Sequence, residues 1–384
     1  MSTLALNIIC GPGRAQILNR CLTTFNVKKV FDEIVIVNTS FDETVNDVAH
    51  KFTDKVFFFQ WENDKHPYGD FGGARNFAAS KTESDKIWWL DTDDACLDQY
   101  NDKLVKAVKL IKDDQYSNIK IWVMPYAIVL DSYGNPISWF MRERVFDRKS
   151  IHWKRQVHEI MYPGIEAVEY ATINNMYISH LADKPSIDSA TRNVQILEYE
   201  YSRNPNDIQT CYFLGRDLIH CGRAKEGIKH LEKILSDLSA SNEMLYAIAI
   251  ELAWYYAYNG MDTKATYEKF SNENKLKVEG YCRLAIAFSR DYADPVVLLG
   301  DVYAHRNDIS SAIRMYQKAI KLPIGVGKFQ NFPMYRDIPA ERLSSMFLKQ
   351  SNYGLSWYYN GLNKKSEGYA DRKNKLLSLM KEEV

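Results

Sequence analysis

The sequence has no excess of charge of either sign. Its 49 Lys and Arg residues balance its 49 Asp and Glu residues, so the formal net charge at pH 7 is +0. Proteins that bind nucleic acid through the phosphate backbone normally carry a basic excess. Composition therefore gives no support to a nucleic-acid partner, although a local basic patch would escape a count over the whole chain.

Cysteine is scarce and long apolar runs are missing. The six cysteines show no CxxC spacing, which argues against both a zinc knuckle and a disulfide framework. No stretch approaches the roughly 20 apolar residues that a membrane-spanning helix needs. The N-terminus, MSTLALNIICG, lacks the basic region of a signal peptide. We therefore expect a cytoplasmic protein without a membrane segment.

The first half of the chain alternates short apolar runs with amphipathic segments. The apolar runs predict strands at Leu4–Cys10, Glu33–Val37, Lys55–Gln60, Lys86–Leu90 and Lys120–Pro125. The amphipathic segments predict helices at Ile17–Phe25, Glu43–Phe52, Ala74–Ser80 and Lys103–Ile111. This alternation is typical of a Rossmann-like α/β domain with a mostly parallel sheet. Ligands of such sheets bind beyond the carboxyl ends of the strands.

From about Arg192 onward, strand patterns give way to successive helical segments. The clearest unit, Asp294–Pro323, has its small and aromatic residues on the pattern of a tetratricopeptide repeat (TPR). Weaker copies begin near Leu214 and Leu252, and Pro339–Asn360 is either a fourth copy or a capping pair of helices. The sequence therefore predicts an α/β domain over residues 1–190 and an all-α, TPR-like domain over residues 191–384.

The sharpest chemical motif follows the predicted strand Lys86–Leu90. Asp91 and Asp93 stand two residues apart in Asp-Thr-Asp-Asp, so in an extended chain both carboxylates point to the same side. Carboxylate oxygens suit a hard cation such as Mg²⁺ or Mn²⁺, which also shares its ligands with phosphate groups. Acidic turns are common, however, and the motif taken alone favours a solvated turn.

Four segments taken in order resemble a known family. They are Phe31–Val45, Phe71–Ala78 with its Gly-Gly-Ala-Arg-Asn core, Trp88–Asp94, and Arg144–Glu159 with its Val-His-Glu ending. Together they resemble the inverting family-2 type of GT-A glycosyltransferases, over roughly residues 4–182. The repeats behind them resemble the tail of bacterial and phage members. The resemblance implies transfer of a sugar from a nucleoside diphosphate donor, usually with a divalent metal.

The resemblance also implies roles for residues on the donor side. Asn38, Thr39 and Asp42 would face the nucleoside, although the family usually has Asp where Asn38 stands, which leaves the base open. Arg75 would approach the base or the diphosphate, because guanidinium is a rigid fork of donors. Thr92 would contact the donor beside Asp91.

The remaining implied roles concern the metal and the proton. Asp91, Asp93 and His180 would bind Mn²⁺ or Mg²⁺, with His158 a weaker candidate than His180. Glu159 would be the general base that takes the acceptor proton, a role that typically contributes ~10²–10⁴-fold in rate. Asp131 and Glu143 are reserve candidates for the base.

These observations favour a metal-dependent inverting glycosyltransferase with UDP-sugar as the leading donor. Its acceptor would be a hydroxyl or thiol on a macromolecule, namely a protein, a peptide, a glycan or a modified phage DNA base, held beside the site by the helical repeats. The repeats equally suit a homodimer. The alternative is a partner-binding TPR scaffold with a degenerate transferase domain. A nucleotidyltransferase ranks third, because Gly11-Pro-Gly13-Arg14 is a poor phosphate loop.

Overall fold

The chain folds into two compact units. The computed structural model describes residues 1–164, 168–181, 187–237, 239–258, 274–324, 330–363 and 369–382. The division lies between Tyr199 and Glu200, whereas the boundary predicted at 190/191 falls inside helix α6 (Ile187–Arg203). The helical pattern of the sequence does not reveal this division, because α6 continues across it. Among the described residues, no helix is both long and apolar enough to cross a bilayer.

The first unit is built on a mixed sheet. Its strands are β1 (Leu4–Cys10), β2 (Glu33–Asn38), β3 (Val56–Phe58), β4 (Lys86–Leu90), β5 (Asp94–Ala95), β6 (Ile119–Leu130), β7 (Pro136–Asp147), β8 (Ile151–Lys154), β9 (Ile160–Pro163), β10 (Glu169–Thr172) and β11 (Ile178–His180). The main path runs β3-β2-β1-β4-β7-β6-β11-β5, and β10 also pairs with β6. Strands β8 and β9 form a separate two-stranded sheet.

The five strands predicted from sequence are confirmed within a few residues at their ends. Strands β1 to β4 pair in parallel, as the alternation of strands and helices indicates. The antiparallel part, in which β7 pairs with β4 and forms a long hairpin with β6, was not predicted. Most of β7 is only half-buried, so it lacks the continuous apolar run that identifies a central strand.

Helices cover both faces of the parallel strands. The helices of this unit before α6 are α1 (Ala15–Thr24), α2 (Val27–Val30), α3 (Glu43–Ala49), α4 (Phe71–Ser80) and α5 (Asn101–Lys112). Leu4, Leu6 and Ile8 of β1 join the larger core cluster with residues of α1, α3 and α5. Ile9 packs on the opposite face with Ala74 and other residues of α4. Strand β1 is consequently buried along its whole length.

The second unit is helical. It contains α7 (Ile208–His220), α8 (Ala224–Leu235), α9 (Asn242–Tyr258), α10 (Lys275–Phe288), α11 (Asp294–His305), α12 (Ile309–Lys321), the short strand β12 (Gln330–Asn331), α13 (Phe332–Tyr335), α14 (Asp337–Lys349), α15 (Tyr353–Leu362) and α16 (Tyr369–Glu382). The repeat predicted at Asp294–Pro323 is confirmed as the helix pair α11 and α12. Gly300 lies so close to Tyr316 that a Cβ atom there would be 2.5 Å from the tyrosine ring.

The weaker repeat copies also correspond to helices. The copy near Leu214 is the pair α7 and α8, in which Gly227 packs against the backbone oxygen of Gly215. The segment Pro339–Asn360 is the pair α14 and α15. The third copy begins in α9, but its predicted positions Gly260 and Ala265 lie outside the described residues.

Candidate active site

The candidate site begins where β4 ends. The next four residues, Asp91 to Asp94, form a tight turn in which the Asp94 backbone N–H donates to the Asp91 carbonyl at 3.1 Å. The Asp94 side chain folds back and accepts a hydrogen bond from the Asp91 backbone N–H at 2.9 Å. The turn therefore fixes the acidic side chains at the carboxyl edge of the parallel strands, where α/β sheets bind ligands.

Arg75 of α4 joins two carboxylates at this edge. Its Nη2 donates to Asp91 Oδ1 and its Nε donates to Glu159 Oε1, both at 2.6 Å. The guanidinium also lies over the ring of Trp89, 4.3 Å from the centroid. Burial opposes the charge of Arg75, but Glu159 and Asp91 outweigh it and raise its pKa above the ordinary value. Short charge-assisted bonds of this kind are strong and directional.

Glu159 reaches Arg75 because the chain before it packs tightly on α4. A Cβ atom on Gly72 would lie 2.3 Å from the backbone oxygen of Arg155, and the Phe71 N–H donates to the Gln156 carbonyl at 2.8 Å. The missing side chain of Gly72 therefore admits the segment that carries Glu159 close to α4.

Two further arginines, from β7, surround the acidic turn. Arg144 is fully buried and its Nη1 donates to Asp94 Oδ2 at 2.8 Å. Arg142 Nη1 lies 3.9 Å from Asp91 Oδ2. Burial would raise the pKa of Asp91, but Arg75, Arg142 and Arg144 hold it well below its usual value. Asp91 is therefore an ionised partner of arginines.

Asp93, Asp94 and His180 form the group in which a metal ion fits. One ligand atom from each lies within 4.8 Å of the others. Asp94 Oδ1 is buried and has no hydrogen-bond partner among the described residues, as expected of an oxygen reserved for a cation. The predicted ligands Asp93 and His180 belong to this group, whereas Asp91 does not. Asp94 stands in its place, because Asp91 turns towards Arg75.

His180 is positioned by its strand and by Tyr126. Strand β11 pairs with β5 so that His180 is opposite Asp94, and its Nδ1 lies 2.7 Å from the Tyr126 hydroxyl. The same nitrogen is 3.5 Å from Asp93 Oδ1. Burial lowers the pKa of His180, but the Asp93 carboxylate outweighs burial and the net pKa is raised.

The residues predicted for the nucleoside lie in the loop between β2 and α3. The amide nitrogen of Asn38 donates to the Asp42 carbonyl and to Asn46 Oδ1, and its oxygen accepts from the N–H and the hydroxyl of Ser40. Asn38 is buried, and its side-chain amide holds the loop together. Thr39 donates through its hydroxyl to the Cys10 carbonyl.

Asp42 connects this loop to the loop after β1. One carboxylate oxygen caps α3 by accepting from the Thr44 N–H at 3.0 Å, and the other accepts from the Gly13 N–H at 2.8 Å. The bonds from Thr44 and Gly13 lower the pKa of Asp42. Gly13 has a φ of 69°, a backbone conformation that glycine adopts without strain.

The remaining sequence candidates are Asp131, Glu143, His158 and Thr92. Asp131 closes the turn between β6 and β7, where its Oδ1 accepts from the N–H groups of Tyr133 and Asn135. Glu143 is exposed on β7. His158 has a φ of 50° beside Glu159, outside the Asp93, Asp94 and His180 group. Thr92 is half-exposed within the acidic turn.

Sequence reasoning missed Asp94, Tyr126, Arg142 and Arg144 as site residues. A signal for the two arginines existed, because they stand two apart in Met141-Arg-Glu-Arg and so share one face of a strand. Only the pairing of β7 with β4 shows that this face meets the acidic turn. Nothing in the local sequence distinguishes Asp94 from Asp91 as a ligand.

The geometry defines an α/β domain with acidic groups, arginines and a cation-binding group at one strand edge. Residues 8–166 match the model of Glycosyl transferase family 2. The match to this family therefore lies within the first unit, whose fold is of the GT-A type, and the TPR-like helical unit follows it in the chain.

Two curated relatives agree with this family match. Over 237 residues the chain is 24% identical to the SPbeta prophage-derived glycosyltransferase SunS of Bacillus subtilis (strain 168), a match that covers 60% of this chain and 53% of that protein. The same values apply to glycosyltransferase SunS of Bacillus phage SPbeta. The chain thus spans about half the length of the curated relatives it matches.

Solved structures show weaker likeness. S. aureus TarS has a TM-score of 0.35 and 12% identity, with 77% of this chain and 54% of that chain covered. MamA has a TM-score of 0.34 and 18% identity, with 50% of this chain and 92% of that chain covered.

Proposed function

We propose that this chain is a metal-dependent inverting glycosyltransferase. It transfers a sugar from a nucleoside diphosphate donor, UDP-sugar first among them, to a hydroxyl or thiol of a macromolecular acceptor. One observation carries the proposal: in a family 2 domain, the Asp93, Asp94 and His180 group adjoins a buried Arg75 that holds Glu159. A cation site and a carboxylate base side by side are what such a transfer requires.

The metal part of the proposal rests on the donor set. Two carboxylates and one imidazole suit Mn²⁺ or Mg²⁺, and Asp94 Oδ1 within this group is buried without a hydrogen-bond partner among the described residues. A bound cation would supply positive charge that stabilises a departing nucleoside diphosphate. The turn from Asp91 to Asp94 holds the ligands, while Arg144 fixes the second oxygen of Asp94.

Glu159 is the base in this proposal. It would accept the proton of the acceptor group as that group attacks the sugar. Arg75 binds one carboxylate oxygen, Oε1, and fixes its direction, and the side chain is only 9% exposed. Neither reserve candidate competes with it, since Asp131 lies in the β6–β7 turn and Glu143 is exposed on β7.

Donor recognition would use the β2–α3 loop as a backbone surface. The Asn38 amide nitrogen is hydrogen-bonded within the loop. In this proposal Asn38 therefore does not contact the base as an aspartate at that position would. Thr39 and Asp42 define the loop's edge, and Asp42 joins it to Gly13. Uracil remains our leading base, on the family resemblance.

The helical unit would supply acceptor binding. TPR-like arrays present extended surfaces to peptides and proteins, and helix pairs α7–α8, α11–α12 and α14–α15 form such an array here. A homodimer through the same unit is the second role that these helices suit.

The test is a thermal-shift panel of UDP, GDP, CDP, dTDP and ADP, each with and without Mn²⁺. A ligand that binds only the native state raises apparent stability by RT ln(1 + [L]/Kd), or about 2.7 kcal/mol at a ligand concentration of a hundred times Kd. We expect a Mn²⁺-dependent shift with one diphosphate, and UDP first. The absence of a shift with all five would contradict the proposal and favour a scaffold role for the helical unit.

A further inference from the structure

One arginine of helix α1 is bound to the residue that follows His180. Arg20 Nη2 donates a hydrogen bond to the backbone carbonyl of Leu181 at 2.8 Å, although the two residues are 161 positions apart in the sequence. The N–H of Leu181 in turn donates to the Asp93 carbonyl at 2.8 Å. Leu181 therefore joins α1 to both Asp93 and His180, two of the three residues in the group where a metal ion fits.

The strand that carries His180 is short, and so are its ladders. Strand β11 contains three residues, Ile178–His180, of which two pair with β5 and two pair with β6. Strand β5 itself contains two residues. Ladders of this length supply few backbone hydrogen bonds. The bond from Arg20 to Leu181 therefore adds substantially to what fixes the direction of His180.

The same helix also holds the acidic turn. Cys21 Sγ donates to the backbone carbonyl of Asp91 at 3.5 Å, and the Cys96 N–H donates to Thr24 Oγ1 at 3.4 Å. Asp91 begins the turn and Cys96 follows β5, so both ends of this segment are attached to α1. Arg20 and Thr24 are four residues apart and thus lie on the same side of the helix. One side of α1 therefore contacts both segments from which the metal group is assembled.

The half-buried Arg20 guanidinium is not placed for stability alone. Its bond goes to a neutral carbonyl, and its Nε is buried without a hydrogen-bond partner in the part of the chain that the structure describes. A buried donor left unpaired costs about 1–3 kcal/mol. Departures of this kind from full hydrogen bonding are expected at functional sites, where geometry is maintained at some cost in stability.

We propose that Arg20 is a positioning residue for the metal group, and that it acts through Leu181 to hold His180 against the acidic turn. The inference rests on the proposed metal dependence and adds to it a residue that contacts neither the cation nor the substrate. Loss of a residue that orients a metal ligand typically lowers metal affinity by about 10–100-fold.

The first measurement is Mn²⁺ binding to the full chain, followed by the electron paramagnetic resonance of free Mn²⁺. Arg20→Ala and Arg20→Gln remove the bond to Leu181, and each should bind Mn²⁺ about 10–100-fold more weakly than the wild type does. Arg20→Lys should recover part of the affinity, because an ammonium group can donate to the same carbonyl.

Arg148→Ala is the matched control. Arg148 is also half-buried, and its Nε donates to a backbone carbonyl, that of Ser84, at 2.8 Å. Ser84 lies just before β4, at the opposite end of that strand from the acidic turn. The control variant should therefore bind Mn²⁺ as the wild type does.

A second measurement separates positioning from general destabilisation. Electron spin echo envelope modulation of bound Mn²⁺ detects the nitrogen of a coordinating imidazole, and His180→Ala should abolish this signal. At saturating Mn²⁺, Arg20→Ala and Arg20→Gln should weaken the nitrogen signal, whereas Arg148→Ala should retain it even where its Tm is lower. A loss of stability alone does not change the ligands of an ion that remains bound, so the signal reports the position of His180.

The possible outcomes distinguish the inference from the proposed function. Wild-type Mn²⁺ affinity in the Arg20 variants, or reduced affinity with an unchanged nitrogen signal, would overturn the positioning role and leave the proposed function in place. A wild type without a nitrogen signal would remove His180 from the metal group and overturn the inference as well. Failure of the wild type to bind Mn²⁺ would overturn both the inference and the metal dependence on which it rests. If Arg20→Ala does not fold, Arg20→Gln and Arg20→Lys provide the same comparison.

Discussion

Arg75 places one charge between two acids that come from distant parts of the chain. Its two bonds to Asp91 and Glu159 are each 2.6 Å long, and its side chain is 5% exposed. Removal of one partner from such a buried ion pair leaves an uncompensated charge and costs several kcal/mol. The arrangement therefore fixes the direction of Glu159 and also makes position 75 sensitive to any substitution, including lysine, which cannot donate in two directions from a planar fork.

The metal group can be tested with Mn²⁺ alone. Asp93→Ala should weaken Mn²⁺ binding by more than the roughly 10–100-fold that loss of an outer-shell partner produces, because a direct ligand is lost. Asp91→Asn is the matched variant, and it should keep Mn²⁺ affinity near that of the wild type because Asp91 faces Arg75. Titration followed by the electron paramagnetic resonance of free Mn²⁺ gives both constants. If Asp91→Asn weakened Mn²⁺ binding more than Asp93→Ala did, Asp91 would be the ligand instead.

The base can be tested by separating binding from transfer. Glu159→Gln should retain affinity for the diphosphate and reduce the transfer rate by about 10²–10⁴-fold, the usual contribution of a positioned base. Glu143→Gln is the control, since Glu143 is exposed and its variant should turn over as the wild type does. The measurement is single-turnover transfer with saturating donor. Normal turnover by the Glu159 variant would place the base elsewhere.

Residue types and spacing predicted some of the side chains that the structure brings together at this strand edge. Asp93 and His180 are among the three residues of the group in which a metal fits, and Glu159 and Arg75 do meet. The choice between Asp91 and Asp94 could not be predicted, because it depends on Arg144 and Arg75, which arrive from β7 and α4. The hydrogen bonds of the Asn38 side chain could not be predicted either, because they form only in the folded loop that contains Ser40, Asp42 and Asn46.

At the scale of secondary-structure elements, two glycines allow close packing of a helix against a neighbouring segment. Gly72 lets the segment before Glu159 lie against α4, and Gly300 lets α11 lie against α12. Both positions would put a Cβ atom within 2.5 Å of another group, against Arg155 in the first case and Tyr316 in the second. Packing of this closeness has little freedom to relax, because protein interiors are already dense.

Gly300→Ala should destabilise the helical unit by about 1–3 kcal/mol, the usual cost of overpacking a well-packed core. Gly280→Ala is the matched control, since Gly280 lies within α10 and a Cβ atom there would meet nothing within 4 Å. Alanine at that position should stabilise by roughly 0.5–1 kcal/mol because it is the better helix former. Denaturant unfolding followed by circular dichroism measures both changes. Equal stability of the two variants would refute the packing argument.

Apolar patterns predicted β1 to β4 and the clearest helix pairs, but not β7 to β11. Strands β1, β2 and β4 are buried along almost their whole length, so their sequences are nearly continuous apolar runs. Strand β7 carries Arg142, Glu143 and Arg144 in a half-buried setting, and β8 to β11 are each three or four residues long. Whether a short segment with polar residues forms a strand depends on the strands it pairs with. The local sequence pattern contains no information about those partners.

At the scale of the whole molecule, the two units have separate cores. The large cluster around Leu6 and Trp88 belongs to the first unit, and the clusters around Tyr316 and Leu252 belong to the second. Units with their own cores can retain structure when separated. All of the candidate site residues fall in the first unit.

A fragment of residues 1–203, which ends with α6, should therefore keep donor binding and lose transfer to a macromolecular acceptor. The reason is that the residues of the proposed donor site all lie in the first unit, whereas the proposal assigns acceptor binding to the helices. Calorimetry with UDP and Mn²⁺ tests the first half, and a transfer assay on the natural acceptor tests the second. Normal acceptor turnover by a folded fragment would show that the helical unit does not hold the acceptor.

The bond from Gly13 N–H to Asp42 has a consequence for engineering. It joins the loop after β1 to the loop after β2, while the same carboxylate caps α3. Exchanging only one of these loops to change the proposed nucleotide specificity would remove this hydrogen bond from the other loop. The two loops should therefore be exchanged together, and variant libraries should take both loops from the same source sequence.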